Sequence, residues 1–83
     1  MITLKIASPS GKIYIGTCGR VQVKTTDGVI TILPKHVPLV SVILNGYVII
    51  DNETKYEISN GMVTVNENSQ VDILVMDIEV NKV

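Results

Sequence analysis

The sequence predicts an all-β fold: a small two-sheet antiparallel β-sandwich of about eight to ten short strands, within one domain spanning residues 1–83. Three observations lead there. Ile and Val dominate a hydrophobic fraction of 46%, and Phe and Trp are absent. β-Branched side chains lose rotamer freedom in helices and fit pleated surfaces. Several runs alternate apolar with polar residues, and turn signals recur about every 8–10 residues. No segment carries a capped 3.6-residue period, so no helix is expected.

The elements follow in order. "ITLKIA" alternates, with Ile2, Leu4 and Ile6 on one face and Thr3 and Lys5 on the other. "SPSG" at Ser8–Gly11 is a turn, and "KIYI" is a short second strand ending at Gly16. "RVQVKT" directs Val21 and Val23 inward, and Asp27-Gly28 forms a tight hairpin whose two central residues both accept positive φ. "VITIL" is the return strand. In "LPKHVPL", Pro34 and Pro38 cannot donate to a ladder, so they mark an edge, a bulge or a corner. "LVSVIL" ends at Asn45-Gly46, a second hairpin signal, and "YVIID" pairs back. "KYEIS" ends at Asn60-Gly61, a third, before "MVTV". "QVDILVM" is the last strand, after the polar loop "NENS". Asp72, Asp77 and Glu79 read as the outward face of that strand and its tail.

Composition narrows the function. The formal net charge is −1, and Lys and Arg stand singly without a basic stripe, which argues against nucleic acid. A chain of 83 residues buries only about 60–65% of its unfolded surface, so a partner covering apolar surface would add stability. The single cysteine, Cys18, excludes an internal disulfide, suits a reducing compartment and reads as a small buried residue. No apolar h-region follows the N-terminus, and no run approaches the ~18 apolar residues of a membrane span, so a cytoplasmic chain without membrane insertion is expected.

Catalytic, metal and cofactor residues are all expected to be absent. The six glycines stand singly at turns rather than in a phosphate loop. One histidine and one cysteine make neither a zinc cluster nor a Cys–His pair with an orienting group. His36 reads either as a side chain capping the proline corner or as a polar contact in a protein interface. Two other classes stay open: a lipoyl- or biotinyl-type carrier with Lys55 near a hairpin, and a small ligand-binding sandwich with His36 lining a mouth.

Gly28, "ILP" at Ile32–Pro34, His36, "PL" at Pro38–Leu39 and Gly46 together resemble the "G-x-x-x-I-x-P-x-H-x-P-L" signature. That signature belongs to the N-terminal β-sandwich of the epsilon subunit of F-type ATP synthases (delta in mitochondria). "LKIASPSGKIYIG", "TTDG" and "EISNGMVTVNENSQVDILVMD" extend the resemblance over essentially the whole chain. It implies a non-catalytic rotor subunit that docks on the gamma-type central stalk of an alpha/beta/gamma head and stiffens it. Ser8, His36 and Ser41 match positions that the family sets against the stalk, with Leu33, Pro34, Pro38 and Leu39 completing the corner. The prolines would hold His36 outward at little entropic cost on binding.

Asp27, Gly28 and Val29 match the hairpin that faces the polar loops of the membrane ring, which would make the subunit peripheral to the membrane. The family commonly has an acidic residue at the position of Val29, so a diverged, ring-less motor is a second reading. The family also continues into a C-terminal pair of helices, whereas this chain stops at "NKV". Neither inhibition by a helical arm nor nucleotide binding is therefore expected of it.

Overall fold

The computed structural model describes residues 1–9, 11–35, 37–76 and 80–82. They form eight strands: β1 (Ile2–Ser8), β2 (Gly11–Cys18), β3 (Val21–Thr25), β4 (Gly28–Ile32), β5 (Leu39–Ile50), β6 (Thr54–Val65), β7 (Gln70–Val75) and β8 (Val80–Lys82). The all-β expectation holds. The expected two sheets share one hydrogen-bonded path, in the order β2-β1-β7-β6-β5-β3-β4, with β8 added beside β6. One pair, β1 with β7, is parallel, where the sequence reading has antiparallel strands throughout.

Two strands of 12 residues explain why one ladder can enclose a core. β5 and β6 pair in a constant register from Leu39↔Val65 to Ile50↔Thr54. Halfway along, both change the face they bury. In β5 the buried positions run Ser41, Ile43, then Gly46, Val48 and Ile50; in β6 they run Tyr56, Ile58, then Gly61, Val63 and Val65. Adjacent exposed residues, Leu44-Asn45 and Ser59-Asn60, mark the switch, and Asn45 is left-handed with φ 52. The first limb therefore contains β2, β1 and β7 with residues 61–65 of β6 and 39–44 of β5. The second contains β8, the remaining halves of β6 and β5, then β3 and β4. A flat sheet is about 10 Å thick, whereas the smallest extent here is 22 Å. The ladder is folded over, and Ile2, Leu4, Ile6, Val63 and Ile73 of one limb join Val21, Val23, Ile32, Val48 and Ile58 of the other in a single buried cluster.

Asn45-Gly46 and Asn60-Gly61 are therefore bends inside long strands and not hairpins, contrary to the sequence reading. Their glycines answer to crowding from neighbouring backbone. A Cβ on Gly46 would run into the carbonyl oxygen of Lys24 in β3, and one on Gly61 would lie 2.7 Å from the carbonyl oxygen of Leu74 in β7. The connection that does reverse the chain is Asp51–Asn52, with φ 51 and 58, closed by the Glu53 amide donating to the Ile50 carbonyl at 3.0 Å. Asp and Asn tolerate this conformation better than other non-glycine residues, which suits a primed turn.

Asp51 also ties its turn to the β2–β3 connection. Its carboxylate accepts the amides of Gly19 and Arg20 at 2.8 and 3.0 Å, and its own amide donates to the Arg20 carbonyl at 3.0 Å. Asp51→Ala is expected to cost about 2–3 kcal/mol, combining lost charge-assisted bonds with a Cβ residue in left-handed geometry without side-chain compensation. Asn52→Gly is expected to be neutral or slightly stabilising. Equilibrium urea unfolding checks the pair, and equal losses at both positions would contradict this assignment.

The β3–β4 hairpin also differs in detail from the expectation. Its central residues are Thr26 and Asp27, neither of which has positive φ; Gly28, at φ 116, pairs with Thr25 as the return strand begins. The Thr25 hydroxyl donates to the Gly28 carbonyl at 3.0 Å and accepts the Asp27 amide at 3.1 Å, so the turn satisfies itself.

Candidate partner-docking face

Strand pairing places apolar side chains on the outside of the first limb as well as the inside. Val42 pairs with Met62, Met62 with Leu74, and Leu74 with Ala7, a row that crosses four strands. Val42, Met62 and Leu74 are exposed, and Ala7 is half-buried. Val40 and Leu44 lie one step to either side of Val42 on the same face of β5, at 68% and 53% exposure. Met76, also exposed, donates its amide to the Asn60 carbonyl at 2.9 Å beside Leu44. Single exposed apolar residues are ordinary on soluble proteins; a contiguous row across strands is characteristic of an interaction surface.

The chain signals this face by having no alternation. "LVSVIL", "GMVTV" and "DILVM" put apolar residues at both parities, the pattern of strands covered on both sides. The sequence reading names these runs as strands without assigning them an outer apolar face, and so misses Val40, Val42, Leu44, Met62, Leu74 and Met76.

The proline corner leads directly into this face. Leu33, Pro34, Val37 and Pro38 are exposed, and Leu39 is half-buried against the core. Lys35 takes φ 66, and its amide donates to the Ser69 hydroxyl at 2.7 Å. Ser69 in turn accepts the Thr3 amide on its carbonyl at 3.0 Å, so the corner is fastened to the start of β1. His36 lies outside the described residues, as do Asp77 and Glu79.

The other sequence-derived candidates fall in two places. Ser8 ends β1, half-buried, with its hydroxyl donating to the Gly11 carbonyl at 3.3 Å. Ser41 is only 7% exposed and donates its hydroxyl to the Asp27 carboxylate at 3.1 Å. The structure thus joins two residues that the sequence reading assigned to different partners. Asp27, Gly28 and Val29 are exposed at the hairpin tip. Lys55 is the second residue of β6, beyond the turn, with its Nζ 4.7 Å from the centroid of the Tyr47 ring. It does not occupy the hairpin tip that a carrier lysine needs.

Among the described residues, no three of His, Cys, Asp and Glu converge where they could hold a metal ion. No helix among them is long and apolar enough to cross a membrane. A groove of about 380 Å³ at the bend is lined by Lys24, Asn45, Tyr47, Glu57 and Ser59. Cys18 is fully buried, and burial raises its thiol pKa, with the nearby Asp51 carboxylate adding to the rise. A raised pKa leaves less thiolate, the reactive form. Maleimide at pH 7–8 is therefore expected to leave Cys18 unmodified in the folded chain and to label it once urea has unfolded the protein. Rapid labelling of folded protein, followed by mass spectrometry, would contradict its buried placement.

Comparison with known proteins agrees with this architecture. A family model described as ATP synthase, Delta/Epsilon chain, beta-sandwich domain, matches residues 1–81. The chain is 38% identical over 76 residues to the ATP synthase epsilon chain of Alkalihalophilus pseudofirmus, covering 88% of this chain and 56% of that protein. It is 36% identical over 74 residues to the ATP synthase epsilon chain of Halalkalibacterium halodurans, covering 86% and 55% respectively. The chain thus spans about half the length of these curated relatives. Among solved structures, a chain of the Euglena gracilis mitochondrial ATP synthase (OSCP/F1/c-ring) superposes with a TM-score of 0.82 at 22% identity, covering 98% of this chain and 52% of that one. A chain of the Tetrahymena thermophila mitochondrial ATP synthase (central stalk/c-ring) gives 0.72 at 19%, covering 92% and 63%. At these identities the structural matches establish the fold alone.

Proposed function

The chain belongs to the family of ATP synthase delta/epsilon β-sandwich domains, and from that premise we propose that it is a non-catalytic rotor subunit of an F-type ATP synthase or ATPase. In this reading residues 1–83 act as one domain that binds the gamma-type central stalk within an alpha/beta/gamma head. It stiffens the stalk so that rotation couples to ATP synthesis or hydrolysis. The observation that carries the reading is the apolar row Val42–Met62–Leu74 on an otherwise completed sheet, continuous with the proline corner.

Energetics favour use of face and corner together. Covering a half-exposed apolar side chain contributes roughly 1 kcal/mol, half or less of the value for full burial. Six such residues give of the order of 6 kcal/mol, which is comparable to the cost of association. Stable docking therefore needs additional contacts, and Leu33, Pro34, Val37 and Pro38 supply an adjoining surface already held in shape by the Lys35–Ser69 bond. The subunit would work in the cytoplasm, peripheral to the membrane where a membrane ring is present, with Asp27, Gly28 and Val29 facing that ring. A ring-less F-type motor is the second reading. It is favoured by Val29, an exposed apolar residue at a position where the family commonly has an acidic one.

Native co-purification through a small tag at Val83 tests the assignment. Recovery of a gamma-type stalk subunit with the alpha/beta head is expected, and co-recovery of ring and stator proteins would distinguish a synthase from a ring-less motor. A chain recovered alone under mild conditions would overturn the rotor reading.

A further inference from the structure

Resting on that reading and deepening it, we propose that Ser41 is a positioning residue: it braces the β3–β4 hairpin tip against the strand that carries the docking face. The ladder between β3 and β5 extends only from Val21↔Ile50 to Val23↔Val48. Residues 24–28 therefore project beyond it, alongside the docking half of β5. The tip needs no outside help to form its turn, because the Thr25 hydroxyl already serves both the Gly28 carbonyl and the Asp27 amide. What remains to be fixed is the direction in which the tip points.

Two bonds to β5 fix it. The Thr26 amide donates to the Val42 carbonyl at 2.9 Å, and the Ser41 hydroxyl donates to Asp27 at 3.1 Å. Val42 presents its side chain in the docking row while its carbonyl holds the tip, so one residue serves both. Ser41 is buried, and truncating it would remove one brace and leave the tip attached through the other alone. A load on the tip thus passes to the docked face through β5.

Amide hydrogen exchange of the 83-residue chain, combined with stalk-binding measurements, tests the assignment. In Ser41→Ala the Thr26 amide is expected to exchange about tenfold faster or more, while Val63 and Ile73 keep their rates, because local opening is independent of core opening. Asp27→Ala, a change at an exposed position, should reproduce the effect, and Ser41→Thr should restore the Thr26 rate. Any loss of affinity for the gamma-type stalk subunit in Ser41→Ala should accompany the change at Thr26 and be matched in Asp27→Ala. An unchanged Thr26 rate in both variants would overturn the brace. So would equal acceleration across Val63 and Ile73, or loss of stalk affinity without a change at Thr26. Failure of the wild-type chain to bind the stalk would instead refute the rotor reading, with the Thr26 rates still reporting on the brace.

Discussion

Gly46→Ala is expected to destabilise the protein by about 3–5 kcal/mol, a large share of the total stability of a domain this small. The added methyl meets two obstacles, the backbone carbonyl of Lys24 and the Cγ2 of Ile43 at 2.8 Å. Main-chain atoms cannot rotate away, so β3 must lift from β5 and take its part of the core with it. Gly61→Ala meets the Leu74 carbonyl and is expected to cost about 2–4 kcal/mol by the same mechanism. Gly19→Ala provides the control, because its Cβ would find only an Asp51 oxygen at 3.6 Å. The order of loss in urea unfolding should be Gly46, then Gly61, then Gly19. A Gly46→Ala midpoint close to wild type would show that the strands do not approach as described.

The second large effect concerns binding. Val42→Glu with Leu74→Glu should weaken association with a gamma-type stalk subunit at least about 100-fold, because docking would bury two unpaired carboxylates. The same double variant should keep its β-sheet circular dichroism and lose little stability, since both side chains are exposed in the free chain. Calorimetric titration measures the first quantity and thermal unfolding the second. Undiminished affinity would move the docking site to another surface. Loss of fold would mean that the outer row supports the sheet rather than a partner.

These two expectations also show what the sequence does and does not reveal. β1 and β3 were legible because one face of each meets the core and the other meets solvent, giving Ile2-Leu4-Ile6 and Val21-Val23 their alternation. The Asn-Gly pairs misled because a hairpin and a close interstrand approach can both place glycine within a strand pattern, and local sequence cannot show that β3 and β7 crowd those two sites. Asp51-Asn52 went unassigned as a turn because its φ preference is weaker than that of Asn-Gly, and only the pairing Ile50↔Thr54 identifies it. β8 is three residues long, too short to display a period, and its pairing with β6 spans from Tyr56↔Lys82 to Ile58↔Val80.

The candidate site was half legible. Pro34 and Pro38 marked the corner through their missing donors. The face beside it is written as unbroken apolar runs, which reveal two-sided coverage only once the strands are paired. Ser41 illustrates the remaining gap: its type and position suggested a contact, whereas its hydroxyl is directed at Asp27, 14 residues earlier in the chain. No local pattern encodes a bond of that kind.

Hydroxyl-radical footprinting of the chain, free and bound to a gamma-type stalk subunit, tests most directly whether the stalk covers this face. Met62, Met76, Leu44 and Leu74 are exposed and oxidisable, and Tyr47, beyond the bend of β5, serves as an internal reference. Strong protection of those four residues with Tyr47 unchanged is the predicted result. Formation of the complex with all four labelled as in the free chain would contradict the account.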